Sequence, residues 1–279
     1  MITAPYRPSV KVHSCMITHL QHLTGLQLQY NDLKAQDFVK VAPALKTLVY
    51  LESLDLSCNS IFFHQNEAAC SAAAQVFECM PRLHRLDLSN NRIKTRLRRL
   101  LENITLPLTY LRLAGCGLTV TDMVYLSHSI HSKHLIELDL SENNLRQCDH
   151  QFKEIITASK SSLCVLEVED CFLDQNNINS FCPRLSQLSS LLYVNFSENH
   201  LPQDCQVLLL ETMAELVALQ VYKSSYALEC YHGEGEEDRL KAAALVELNR
   251  VVNRSSVQSR RPKPLMLFWT ELERAIETD

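Results

Sequence analysis

One pattern constrains this 279-residue chain more than any bulk property does. An eleven-residue phrase keeps Leu or a close substitute at places one, four, six and eleven, and Asn or Cys at place nine. Its first copy is Leu23-Leu26-Leu28-Asn31-Leu33, and later copies begin at Leu51, Leu83, Leu108, Leu135, Leu163 and Leu191. The spacings are 28, 32, 25, 27, 28 and 28 residues. An eighth, weaker copy reads Leu216-Leu219-Val221, with Ser224 in place of the Asn or Cys and Tyr226 as its last apolar residue. Five places held over seven copies identify a repeat, and a repeat of this length decides the architecture before any local propensity does.

Each place has a physical reason. Apolar residues two apart make a short strand whose inward side chains alternate with outward ones. The Asn or Cys turns the chain and bonds backbone groups that the turn leaves open. The intervening stretches carry helical apolar spacing, as in Phe38-Val41-Leu45-Leu48, Met123-Leu126-Ile130 and Val207-Leu210-Met213. Asn66 before an Ala-rich run at 67–74, and Asp122, read as helix caps. Strands stack about 4.8 Å apart and helices about 8–10 Å, so the stack must curve. The expected fold is an α/β solenoid shaped as a horseshoe, with parallel strands on the concave side and helices on the convex side. Residues 1–22 read as a lead-in without a polar cap, leaving a raw hydrophobic edge on the first repeat. About eight repeats fill 23–226. Residues 227–279 read as a C-terminal cap: an acidic loop at 233–238, a helix through Leu240, Leu245, Leu248 and Val252, a basic linker, and a strand at 265–269.

Composition excludes several functions. A net charge of −5 and a pI near 6.1 argue against a nucleic-acid binder. Five glycines leave little material for phosphate loops. No Ser-nucleophile, zinc-protease, Walker or dinucleotide motif occurs, so the expectation is a non-enzyme with no cofactor and no metal. His128, His131 and His134 read as solvated at a helix end. Cys116 and Cys171 read as structural turn residues. The start of the chain carries Arg7 and Lys11 and no signal-type apolar run, and the longest apolar run falls far short of a membrane span. With 11 cysteines and no C-x-x-C pair, the expected location is the cytoplasm, with the nucleus as a second site. Asn-x-Ser/Thr triplets at Asn103, Asn195 and Asn253 are then coincidental.

The outward strand positions are the candidate binding surface. One row reads Gln27, Asp55, Asp87, Arg112, Asp139, Glu167, Asn195 and Gln220. Flanking it are Arg85, Tyr110, Glu137 and Tyr193 on one side and Glu169 and Tyr222 on the other, with Glu142, Asp170 and Glu198 at the rim. From the fifth repeat the face turns acidic and tyrosines are interleaved, a composition that suits a protein partner offering a basic segment. A second cluster, Arg92, Lys94, Arg96, Arg98 and Arg99, reads as a solvated convex surface, with a nucleic-acid or acidic-partner site as the alternative, and Arg260-Arg261-Pro262-Lys263 as a weak nuclear signal or a soluble linker.

The alternation of Cys116, Asn143, Cys171 and Asn199 resembles the ribonuclease-inhibitor-like class of leucine-rich repeats. PLTYLRLAGCGLTVTDMVYLSHS at 107–129, LIELDLSENNL at 135–145 and LLYVNFSENHLPQD at 191–204 are similar to the PRAME family. So is the C-terminal layout that ends in LMLFW. The resemblance runs from about residue 15 onward. It implies a non-enzymatic horseshoe. Some family members are substrate receptors of cullin-2 ubiquitin ligases, reached through elongin, and one restrains Toll-like receptor and NF-κB signalling by binding an IκB kinase subunit. The family's repeats follow a long region that holds the elongin-binding box. No such box precedes these repeats, so the ligase role does not carry over by residues, and the chain reads as a fragment, a short isoform or a divergent paralogue. The expected function is a protein-binding scaffold of the NF-κB type. Alternatives are a ligase substrate receptor and, more weakly, an inhibitor that occludes a basic ribonuclease.

Overall fold

Short strands recur at the motif and pair only with their neighbours in sequence. The computed structural model describes residues 2–3, 22–199, 201–226 and 266–271. The strands are β1 (Ile2–Thr3), β2 (Gly25–Gln27), β3 (Ser53–Asp55), β4 (Arg85–Asp87) and β5 (Tyr110–Arg112). They continue as β6 (Glu137–Asp139), β7 (Val165–Glu167), β8 (Tyr193–Asn195), β9 (Val221–Tyr226) and β10 (Met266–Glu271). All ten form one parallel sheet in sequence order. Such an order needs a crossover after every strand. Between β2 and β9 those crossovers are α1 (Ala35–Leu45), α2 (Glu67–Glu78), α3 (Leu97–Leu101), α4 (Val120–His128), α5 (Asp149–Ala158), α6 (Gln175–Leu185) and α7 (Gln203–Ala214).

Register carries the core. Leu26, Leu54, Leu86, Leu111, Leu138, Leu166, Val194 and Tyr222 pair in one continuous row, and all are buried. The helices close over them with Phe38, Phe77, Leu100, Met123, Phe152, Phe181 and Leu210. Each such side chain contributes roughly 2 kcal/mol of apolar burial, and nearly all of it depends on the adjoining coils. The helix caps lie where the sequence placed them. The Asn66 side chain accepts from the Ala69 N–H at 2.8 Å. Asp122 accepts from both the backbone and the hydroxyl of Thr119 (2.9 and 2.7 Å). Its carboxylate also takes the N–H groups of Thr95 and Leu97 at 2.7 and 3.0 Å, so one buried acid caps its own helix and the five-residue α3 before it.

The turn place is a second continuous network. Asn143 donates its amide to the carbonyls of Leu113, Leu140 and Ser141 and accepts from the Leu118 N–H, all within 3.0 Å. Two of those partners belong to the preceding coil. Asn59, Asn91 and Asn199 repeat the arrangement. The thiols of Cys116 and Cys171 stand in for the amide, donating to the Leu88 and Leu140 carbonyls at 3.2 and 3.3 Å and accepting from the backbone N–H groups of Asn91 and Asn143, and burial pushes both thiols well above the ordinary range. To aim these carbonyls, the residue before the Asn or Cys is left-handed in all seven copies: Tyr30, Cys58, Asn90, Gly115, Glu142, Asp170 and Glu198, with φ between 46° and 61°. Six are not glycine, so each carries strain of roughly 1 kcal/mol that the network must outweigh. At Gly115 a Cβ would meet the Asn90 side-chain oxygen, which would have to move aside.

Several expectations change. The first strand edge is not raw, because β1 pairs with Leu26 and Gln27. α4 ends at His128, so Ile130 lies beyond it and is 50% exposed. His131 is not solvated: it is fully buried, and its Nδ1 accepts the Leu108 N–H at 3.0 Å. The eighth copy is displaced. Leu219, Tyr222 and Ser224 stand 28 residues after Leu191, Val194 and Phe196, and Leu216 occupies the helix-to-strand turn as Leu188 does one coil earlier. That turn carries its own Leu-x-x-Leu, which imitates the start of the motif. The acidic loop at 233–238, the helix at 240–252, the basic linker and most of the lead-in lie outside the described residues.

Two measurements check this account. Asn143→Ala leaves three carbonyls and one N–H without their partner and is expected to cost about 3 kcal/mol in chemical denaturation. Burial lowers the pKa of His131 to about 4, against an opposing pull from the Leu101 carbonyl. Its folded form therefore binds a proton less readily than the unfolded chain. Stability is complete above the unfolded value near 6.5 and declines as pH falls toward 4, by on the order of 3 kcal/mol. His131→Asn, which keeps an acceptor for Leu108, is expected to flatten that slope.

Candidate partner-binding face

The outward side chains fall into three rows because parallel register holds equivalent residues side by side. Asp55, Asp87, Arg112, Asp139, Glu167 and Asn195 form the middle row, and Arg85, Tyr110, Glu137, Val165 and Tyr193 the row before it. Glu169 extends the third row after β7, and Glu142, Asp170 and Glu198 share the left-handed lip position on successive coils. Tyr222 does not join them. It pairs with the inward Val194 and is 1% exposed, because the eighth motif begins three residues later than its leucines suggest. Lys223 takes the outward place beside Asn195, and Gln220 moves off the row into the turn before β9. Counting 28 residues on from Asn195 would have found Lys223.

These residues do not all do the same work. Asp55, Asp87, Asp139 and Asn195 each use Oδ1 to accept the N–H of the serine two residues on, at 2.9–3.0 Å. The Asp-Leu-Ser phrase therefore shapes the strand exit, and an acidic charge there is incidental to that bond. Burial pushes the Asp87 carboxyl above its ordinary range, against the lowering effect of its bonds to Ser89. Glu137, Glu167 and Glu169 bond no backbone group of this kind, so their carboxylates are available for a different purpose.

Two cation–tyrosine contacts punctuate the face. Arg85 stacks on Tyr110 with its guanidinium carbon 3.4 Å from the ring centroid, and Arg112 pairs with Glu137. A shallow depression of about 170 Å³ lies over β2 to β6 at this end. At the other end Asn195, 3% exposed, donates to Glu167 at 3.0 Å and to Glu169 at 2.9 Å, while the Tyr193 hydroxyl donates to Glu167 at 3.4 Å. Lys223 stands 5.4 Å from the Tyr193 ring centroid. Burial raises the Glu167 pKa, partly offset by the Asn195 bond, and the Tyr193 hydroxyl holds Lys223 above its ordinary value. From β6 to β8 the face thus carries four carboxylates on two adjoining strands and their exits, with three more at the lip. Like charges brought together on neighbouring strands repel, and a partner's cation relieves that repulsion.

The other clusters resolve differently. Arg96 and Arg99 lie 3.1 and 4.0 Å from Glu67, and Arg98 3.1 Å from Glu102, so the basic cluster is largely internally paired on the exposed helix layer. His128 and His150 approach Glu154 at 4.0 and 3.3 Å. Among the described residues no group of three or more His, Cys, Asp or Glu could hold a metal ion, and no helix is long and apolar enough to cross a membrane.

Residues 17–272 match the PRAME C-terminal domain. Leucine-rich repeat-containing protein 14 of Xenopus laevis is 28% identical over 212 residues, which cover 74% of this chain and 42% of that protein. The Homo sapiens protein of the same name is 28% identical over 219 residues, covering 76% and 44%. The chain therefore spans less than half the length of these relatives. Among solved structures, the leucine-rich repeat-containing protein LegL7 from Legionella pneumophila superposes with a TM-score of 0.54 over 90% of this chain and 75% of that one. At 17% identity it shows the fold alone.

The serine-bonded acids give a direct check. Asp87→Asn keeps the acceptor for Ser89 and removes a desolvated charge, so stability in urea is expected to equal or exceed that of the native chain. Asp87→Ala is expected to lose about 1 kcal/mol.

Proposed function

The chain belongs to the PRAME family, whose leucine-rich repeats serve as protein-binding scaffolds, and on that premise we propose that it grips a basic segment of a partner protein on the strand face from β6 to β8. One observation carries the reading: Glu167 and Glu169 are fastened side by side by a buried Asn195, next to Glu137 and Asp139. Holding carboxylates together costs electrostatic energy, and a cationic ligand returns it. Association is then fastest at low ionic strength and slows as salt screens the face. No catalytic role is assigned to any residue.

At a finer level, the proposed partner is an IκB kinase subunit and the proposed setting the restraint of Toll-like receptor and NF-κB signalling in the cytoplasm, with the nucleus as a second location. The resemblance to the PRAME family supports this level, and the acidic face is compatible with it. A cullin-2 substrate receptor, coupled through elongin, is the alternative within the same family. A ribonuclease-inhibitor-like role is the weaker one, favoured only by the sign of the face.

Affinity purification of the tagged chain, with partners identified by mass spectrometry, separates these readings. Recovery of a kinase subunit supports the first, elongin and cullin subunits the second, and a ribonuclease the third. Glu167→Lys combined with Glu169→Lys is expected to weaken capture of the kinase subunit or the ribonuclease at least about tenfold. Unchanged capture by a variant that melts normally removes this face from the binding surface.

A further inference from the structure

The acidic face already contains a cation of its own, and the way it sits is informative. Lys223 projects from β9 in the place after Asn195, with its ammonium 5.4 Å from the Tyr193 ring centroid. That is near the outer limit of a cation–π contact, about 6 Å. Among the described residues it makes no ion pair within 4.0 Å of Glu167 or Glu169. Both carboxylates are nonetheless set for a ligand. Asn195, buried and anchored through its Oδ1 to the Ser197 N–H at 2.9 Å, holds one oxygen of each, and the Tyr193 hydroxyl leans on Glu167. The corner has an aromatic wall and two oriented carboxylates, and its resident cation acts on both from a distance, held at the Tyr193 hydroxyl without a close ion pair to either. By contrast, Arg85 lies on Tyr110 at 3.4 Å, which shows how closely a free guanidinium can approach a tyrosine on this same face.

We propose that the corner formed by Tyr193, Glu167 and Glu169 receives one arginine side chain of the partner, and that Lys223 stands in for it in the free protein and is displaced on binding. The proposal rests on the reading of the strand face given above and sharpens it. Arginine fits better than lysine, because a planar guanidinium can stack on the ring while its fork meets two carboxylates. Lys223 lowers the repulsion between the carboxylates when no partner is present. It also excludes weakly basic competitors, since any ligand must first move it.

The test uses the full chain and two synthetic nonapeptides, one with arginines separated by alanines and one with glutamates in the same places, read by fluorescence anisotropy. The native chain is expected to prefer the arginine peptide. Lys223→Met, which keeps most of the stem and removes the charge, is expected to bind that peptide about fivefold tighter. The gain is expected to disappear when Glu167→Gln is added. If the native chain prefers the arginine peptide but Lys223→Met binds it equally or less well, Lys223 is not a stand-in and the proposal is overturned. If neither chain distinguishes the peptides, the acidic-face reading fails and the proposal falls with it. Circular dichroism melts of each variant separate loss of binding from loss of fold. Should Lys223→Met unfold, Lys223→Gln replaces it, with the same outcomes.

Discussion

A side-chain amide that reaches three carbonyls in two coils at once is the interaction on which the structure depends. Asn59, Asn91, Asn143 and Asn199 each do this, and they do it only because the residue before each is held left-handed. The arrangement converts a turn, which would leave buried polar groups open, into a joint between neighbours. Cys116 and Cys171 occupy the same joint with a thiol, a weaker donor than an amide, so the stack alternates stronger and weaker fastenings between its fourth and seventh coils. Cooperativity along the solenoid follows from this, because no coil completes either its polar turn or its leucine layer alone.

The joint also decides what the strand face can display. Once inward places are committed to leucine and the strand exit to an Asp-Leu-Ser phrase, the aspartates become partly structural. The freer positions are those that bond no backbone N–H. There the chain places Glu137, Glu167 and Glu169, and it supports the last two with an amide that is itself buried. Preorganised like charges are an unfavourable choice for stability and a useful one for recognition, since the repulsion is removed only by an oppositely charged partner.

Family membership and fold likeness bear on different links of the argument. The match over residues 17–272 places the chain among leucine-rich repeat scaffolds, and the superposition on LegL7 shows how widely the same stack is used at low identity. Neither chooses a partner. The coils differ in their outward side chains, whose pattern changes from strand to strand while the inward pattern is largely repeated.

Periodicity made the solenoid, the strand positions, the caps at Asn66 and Asp122 and most of the outward rows legible in the amino-acid sequence, because each depends on local spacing that every coil repeats. His131 was not legible, and the motif spacing puts Tyr222 and Lys223 on the wrong sides. The turn before β9 carries leucines at Leu216 and Leu219 that imitate a motif and hide the 28-residue step, and pairing with β8 shows which residues face inward. His131 looks like a surface residue in a polar run, and its burial is decided by the backbone of Leu108 in the coil before it. Asn195 likewise reads as one more outward polar residue, and its grip on two glutamates exists only when β7 and β8 lie side by side. A repeat specifies its own period from within, whereas register and the meeting of side chains from different coils belong to the assembled stack.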